Sequence, residues 1–206
     1  MDREDQSTLR PGPGVRDIMV PSEFGILQGD PARHGVLNAL VRYLRRTSAM
    51  VLEVGSYEGQ SALVWSAAIL QHCPEGGRVL CVDPWGAEYI EKYLGGGAAY
   101  VNMAEALRSG EVYRRFCSNA AAADPRAPVN HLRGSLQQVC DQLQGKTFDI
   151  VYIDGDHSAE AVREDIALTQ PLVNIGGLLC GDDLEVQGGD CDLNVAREIA
   201  DTVDYA

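Results

Sequence analysis

Residues 51–63 read Val-Leu-Glu-Val-Gly-Ser-Tyr-Glu-Gly-Gln-Ser-Ala-Leu. Together with Ala49 and Met50 they begin as a short apolar run that stops at Gly55. A run this short, apolar at every position but one, predicts a strand buried on both faces, the usual state in a parallel sheet. From Ser61 to Gln71 the apolar residues recur at helical spacing. The stretch is therefore a strand, a tight turn and a helix. Gly55 and Gly59 stand four apart in that turn. Glycine there lets backbone approach a ligand closely, and the helix start offers N–H groups to it. The plain alternative is a tight turn with no ligand. The spacing is not that of the dinucleotide fingerprint G-x-G-x-x-G, because Tyr57 and Glu58 occupy the intervening positions. Glu53 would sit awkwardly beside a pyrophosphate and suits a ligand with a cationic or hydroxyl end.

Outward from this turn the same alternation repeats. Val36, Leu37, Leu40, Val41 and Leu44 predict a helix from about Arg33. Strands are predicted at Arg78–Asp83, Val129–Arg133, Phe148–Ile153 and Gly177–Cys180, and helices at Ser135–Leu143 and Ser158–Leu172. Between Glu88 and Ala123 lies a helical and loop stretch containing Gly95-Gly96-Gly97. Strands alternating with helices imply an α/β fold, a parallel sheet covered on both faces. Residues 1–32, broken by Pro11, Gly12, Pro13, Gly14, Pro21 and Pro31, read as an arm, and 33–206 as a single domain.

In such a sheet ligands bind outside the carboxyl ends of the strands. Asp83 ends the second strand, where a carboxylate can accept ribose hydroxyls, and Trp85 beside it can stack on a base or simply fill the core. Gly134 and Ser135 follow the third strand, with a helix cap as the simpler role for Ser135. Asp154-Gly155-Asp156-His157 ends the fourth and Gly181-Asp182-Asp183 the fifth. Neighbouring strands would bring these carboxylates side by side, where they repel unless something positive sits among them. A hard divalent cation suits all-oxygen ligands. The simpler alternative makes Asp156 a cap and leaves Asp182 and Asp183 in water.

These pieces together resemble a known family. VLEVGSYEGQSAL, RVLCVDPW, VNHLRGS, FDIVYIDGDHSAEAVREDI and GGLLCGDDL follow the order and spacing of class I S-adenosylmethionine-dependent methyltransferases. Within them the chain resembles the metal-dependent small-molecule O-methyltransferases, both catechol-type and antibiotic-tailoring. The resemblance implies a Rossmann-like, doubly wound sheet of order 3-2-1-4-5. It implies that Glu53, Gly55, Ser56 and Gly59 form the cofactor loop, with Ser61 near the methionine carboxylate. Asp83 would hold the ribose, with Trp85, Gly134 and Ser135 around the adenine. Asp154, Asp182 and Asp183 would hold the metal, Mg²⁺ first and Ca²⁺ or Mn²⁺ as alternatives, with Asp154 also beside the cofactor. His157 stands where catechol-type relatives place a lysine base, and an imidazole suits that task. With Asp154 it forms the expected catalytic pair.

Relatives continue past the fifth strand into a helix and an antiparallel pair, for which few residues follow Asp183. The expectation is that either the chain is cut short there or the sheet ends at the fifth strand, with an open edge that a partner such as a second copy would cover. Two rival functions keep part of this reading. One is a metal-independent methyltransferase with Asp156 or His157 as base, the other a non-catalytic cofactor-binding scaffold. A nicotinamide-dependent reductase is disfavoured by the glycine spacing.

Charge and composition narrow the partners. The chain carries 17 basic and 30 acidic residues, a net charge of −13. That argues against nucleic acid, which needs bases to displace counterions, and against anionic membranes. None of the six cysteines forms a C-x-x-C pair, which disfavours a zinc site. No apolar signal is seen at the N-terminus, and the expected location is cytoplasmic. The acceptor is expected to be a small-molecule hydroxyl. Tyr89, Tyr93 and Tyr100 are candidates for its pocket, although aromatics at this spacing more often pack.

Overall fold

The computed structural model describes residues 31–91 and 98–182. Five strands form one sheet: β1 (Ala49–Val54), β2 (Gly77–Asp83), β3 (Val129–Arg133), β4 (Phe148–Ile153) and β5 (Val173–Gly181). Their order is β3-β2-β1-β4-β5 and every pairing is parallel. This is the order that the family resemblance implied. β1 is the central strand, which explains why its sequence is apolar on both faces.

Alternation along the strands sends side chains into two separate cores. Ala49, Val51, Val79, Cys81, Ile150 and Tyr152 meet α1 (Pro31–Leu44), α2 (Gln60–His72) and α4 (Glu111–Ala121) through Leu37, Val41, Trp65, Ile69 and Phe116. Leu52, Val54, Val82 and Val151 meet α5 (Leu136–Leu143) on the other face, through Leu136, Val139 and Leu143. Val162 and Ile166 of α6 (Ala159–Thr169) pack beside Ile153 and Leu179. The stretch predicted as mixed helix and loop resolves into α3 (Ala98–Arg108) and α4, separated by Gly110 at φ 71°. β5 is longer than the sequence predicts, because it begins at Val173 and its pairing with β4 shifts register between Phe148 and Ile150. The glycine triplet lies outside the described residues, and so do Tyr93, Asp183 and the stretch where the sheet was expected to be cut short. Among the described residues no helix is long and apolar enough to cross a membrane.

The strand ends are tied into one row. Gly134 N donates to Asp83 O at 3.0 Å, Gly55 N to Val82 O at 2.9 Å, Asp154 N to Val54 O at 2.7 Å and Asp182 N to Ile153 O at 3.1 Å. Sheet hydrogen bonding thus continues one residue past β1, β3, β4 and β5 and fixes the loops that carry the expected site. Gly55 is needed in this row. Its φ is +85°, and a Cβ placed there would lie 2.1 Å from the carbonyl oxygen of Asp154.

Candidate active site

The β1–α2 turn is held from two sides. From β2, the Asp83 carboxylate accepts three backbone N–H groups: Ser56 N at 2.8 Å, Tyr57 N at 3.0 Å and Trp85 N at 2.6 Å. A carboxylate has about four acceptor positions, so roughly one is left for a ligand hydroxyl. Burial raises the pKa of Asp83, and the three amides oppose that rise. From α4, Arg115 Nη1 donates to Glu58 Oε1 at 3.0 Å and Asn119 Nδ2 to the Glu58 carbonyl at 2.7 Å. Two turn amides that an anionic ligand would use are therefore already engaged by Asp83.

Trp85 belongs to this bracing. It is 2% exposed, and its Nε1 donates to Tyr57 O at 2.7 Å. Its ring packs on Phe116, Tyr113 and His131 at centroid distances of 4.5, 5.0 and 5.5 Å. Of its two expected roles, the structure places it in the core. Ser135 likewise takes the simpler role. Its hydroxyl accepts from Gln138 N while Gln138 Oε1 accepts from Ser135 N, a reciprocal cap on α5.

Beneath the turn lies a group of polar atoms without partners. Glu53 is fully buried at the end of β1, in register with Cys81 on one side and Tyr152 on the other. Burial pushes its pKa up to about 7, against the pull of nearby Ser56, Ser61 and Trp65. Cys81 Sγ lies 3.8 Å from Glu53 Oε1. No donor reaches Glu53 Oε2 in hydrogen-bond geometry, and Ser56 Oγ, Trp65 Nε1 and Tyr152 OH are also unpartnered. Each buried polar group left unpaired costs about 1–3 kcal/mol. The free Glu53 Oε2, with polar side chains around it, suits a polar ligand at this position. A carboxylate with a free oxygen suits an ammonium group, and the spare position on Asp83 suits a ribose hydroxyl. The residues present therefore fit the two polar ends of S-adenosylmethionine.

The ends of β4 and β5 differ from the expectation. Asp154 and Asp182 are brought together, because Ile153 pairs with Gly181 immediately before them. Arg33 of α1 stands between them, with Nη1 3.3 Å from Asp154 Oδ2 and Nη2 2.5 Å from Asp182 Oδ2. The positive charge required among these acids is thus supplied by a side chain. Burial and then Asp182 drive the Asp154 pKa well up, and Arg33 opposes them. Burial, Asp154 and Asp182 also raise that of Tyr152. Asp156 Oδ1 accepts from Ser158 N at 2.9 Å, the capping role weighed for it. His157 lies in the same loop, half-buried, just before α6. Among the described residues no three His, Cys, Asp or Glu side chains are grouped to hold a metal ion. Asp183, the third expected ligand, lies outside the described residues, and between Asp154 and Asp182 the place expected for a divalent cation is taken by Arg33.

Comparison with known proteins decides the family. A family model described as a methyltransferase domain matches residues 52–184, from β1 through the acidic strand ends. The chain belongs to that family. Solved structures share this methyltransferase's fold. An O-methyltransferase from Bacillus cereus in complex with SAH superposes with a TM-score of 0.54 at 16% identity, covering 90% of this chain and 81% of that one. A cofactor-bound protein from MTB gives 0.55 at 18%, covering 87% and 71%. The O-methyltransferase TomG from Streptomyces achromogenes, involved in tomaymycin synthesis and solved with SAM, gives 0.51 at 16%, covering 84% and 69%. No curated protein gives a significant match.

Several residues of this methyltransferase site were not singled out in the sequence. Cys81 and Tyr152 flank Glu53 through strand register, a signal available once the strands are aligned. The brace from Arg115 and Asn119 follows a helical spacing of four. Arg33 gave no local signal beyond being a base at the start of a helix.

Proposed function

We propose that the protein transfers a methyl group from S-adenosylmethionine to a hydroxyl of a small molecule such as a sugar, a phenol or another natural product. The observation that carries this reading is the buried Glu53 carboxylate beneath the glycine turn, whose Oε2 has no partner in hydrogen-bond geometry, together with Asp83 at the end of the next strand. When bound, S-adenosylmethionine supplies a methyl on a positively charged sulfur, which an acceptor oxygen takes as the carbon–sulfur bond breaks. Glu53 holds the amino end, Asp83 the ribose hydroxyls, and Ser61 the methionine carboxylate. His157 takes the proton that the acceptor hydroxyl gives up. Fixing both reactants in one geometry supplies much of the rate, because it removes the entropic cost of bringing them together. No step is assigned to a divalent cation, since Arg33 fills the place where one was expected.

The acid excess supports a small molecule as partner, with no nucleic acid and no anionic membrane, and the setting proposed is cytoplasmic. Calorimetric titration with S-adenosylhomocysteine tests the reading directly. Binding in wild type, weakened about 10–100-fold in Glu53→Gln by loss of a charge-assisted hydrogen bond, supports it. Absence of any binding to wild type overturns it.

A further inference from the structure

We infer that Arg33 is the resident counter-ion of the Asp154–Asp182 pair, so that the methyl-transfer site is assembled without a divalent metal. The inference deepens the methyltransferase reading and rests on it. One guanidinium spans both strand ends, with its two Nη atoms 3.3 Å and 2.5 Å from the two Oδ2 atoms. A Mg²⁺ ion would need those oxygens at about 2.0–2.1 Å in near-octahedral geometry. Both cations cannot occupy the space between them.

The arginine is placed by packing and not by an incidental surface contact. Arg33 lies one helical turn before Leu37, and Leu37 and Val41 are each 1% exposed beneath α1. Asn38 then locks α1 to α2, donating to Gln71 Oε1 at 2.8 Å and pairing with His72 Nε2 at 2.9 Å. The three charged side chains are 21%, 19% and 8% exposed, so water screens them only partly. Arginine also suits the position chemically. It stays protonated at any working pH, and its planar fork can address two carboxylates at once. Arg33 is a positioning residue that holds Asp154, and with it the loop carrying His157, at the end of β4.

The test uses the full chain, with MgCl₂ as the probe. Thermal melting is followed with chelator and with millimolar Mg²⁺, and S-adenosylhomocysteine binding is titrated calorimetrically under the same two conditions. Wild type is expected to melt at one temperature and bind with one affinity in both. Arg33→Ala is expected to melt lower in chelator and to recover by about 2–4 °C on adding Mg²⁺. Arg33→Ala with Asp182→Asn is expected to lose that recovery. If wild type gains melting temperature or S-adenosylhomocysteine affinity on adding Mg²⁺, the inference is overturned. The wild-type comparison decides even if Arg33→Ala fails to fold. A wild type that never binds S-adenosylhomocysteine overturns the methyltransferase reading instead, and its Mg²⁺ melt still decides about Arg33.

Discussion

The two halves of the strand-end row handle negative charge in opposite ways. At the β2 end, Asp83 is satisfied by three backbone amides from its own and the neighbouring turn. At the β4 and β5 ends, Asp154 and Asp182 are satisfied by one arginine, 121 residues from Asp154 in sequence. The first solution is local and uncharged on the donor side. It fixes a turn and leaves about one acceptor position for a ligand. The second is long-range and ionic. It ties α1 to the ends of β4 and β5. Amide donors have no side-chain freedom to lose, whereas an arginine must be held by packing. The local device therefore makes a rigid half of the site, and the ionic device makes a half that depends on α1.

Four substitutions would break or sharpen this contrast. The largest effect is expected from Gly55→Ala, at the junction of the halves. Its Cβ would press on the Asp154 carbonyl at 2.1 Å with φ at +85°. The loss should exceed about 4 kcal/mol, enough to abolish cooperative unfolding in a denaturant titration. Asp83→Ala comes next. It strips three amides of their acceptor and should cost about 3 kcal/mol. Because the donors are neutral, that loss should be nearly the same at low and high salt, which chemical denaturation at two ionic strengths would show.

Glu53→Gln reports a smaller, pH-dependent effect. The Glu53 pKa is raised to about 7 in the folded chain from 4.5 when unfolded. The folded state then binds more protons than the unfolded one across that window. Its contribution to stability is present at low pH and is lost as pH rises from about 4.5 to about 7. Stability of Glu53→Gln measured at several pH values should fall less steeply over that range. A slope equal to wild type would show that Glu53 titrates normally. Ser135→Ala should have the least effect, about 1 kcal/mol in a melt, because it removes one reciprocal helix cap.

The same division explains what could be read from the sequence. β1 and β4 are legible residue by residue, because a buried parallel strand is a largely apolar run bounded by turn residues, and β3 has the bounds expected although Asn130 and His131 interrupt its apolar residues. β5 is not, because Asn174 and the glycines at 176 and 177 interrupt its run and a register shift absorbs the irregularity. Gly55, Asp83, Asp154 and Asp182 were legible as a site because each ends a strand and parallel topology brings strand ends together. Arg33 was not, since no spacing rule connects a helix start to a strand end this far along the chain. The sequence announced a missing positive charge among the acids, and a cation and an arginine satisfy that requirement equally well on paper. Trp85 and Ser135 show the converse. Both lie at the right address for a ligand, and both are engaged by the protein itself.

The chain has two tryptophans. Trp65 stands beside Glu53, and Trp85 donates its indole N–H to the carbonyl of Tyr57. Both indoles are buried, Trp65 within α2 beside Glu53 at the end of β1 and Trp85 hydrogen-bonded to the turn itself. Intrinsic fluorescence of this protein is therefore a local signal in disguise. Its emission wavelength and quenching report the surroundings of the five-residue turn 55–59, and a ligand entering there needs no label to be seen.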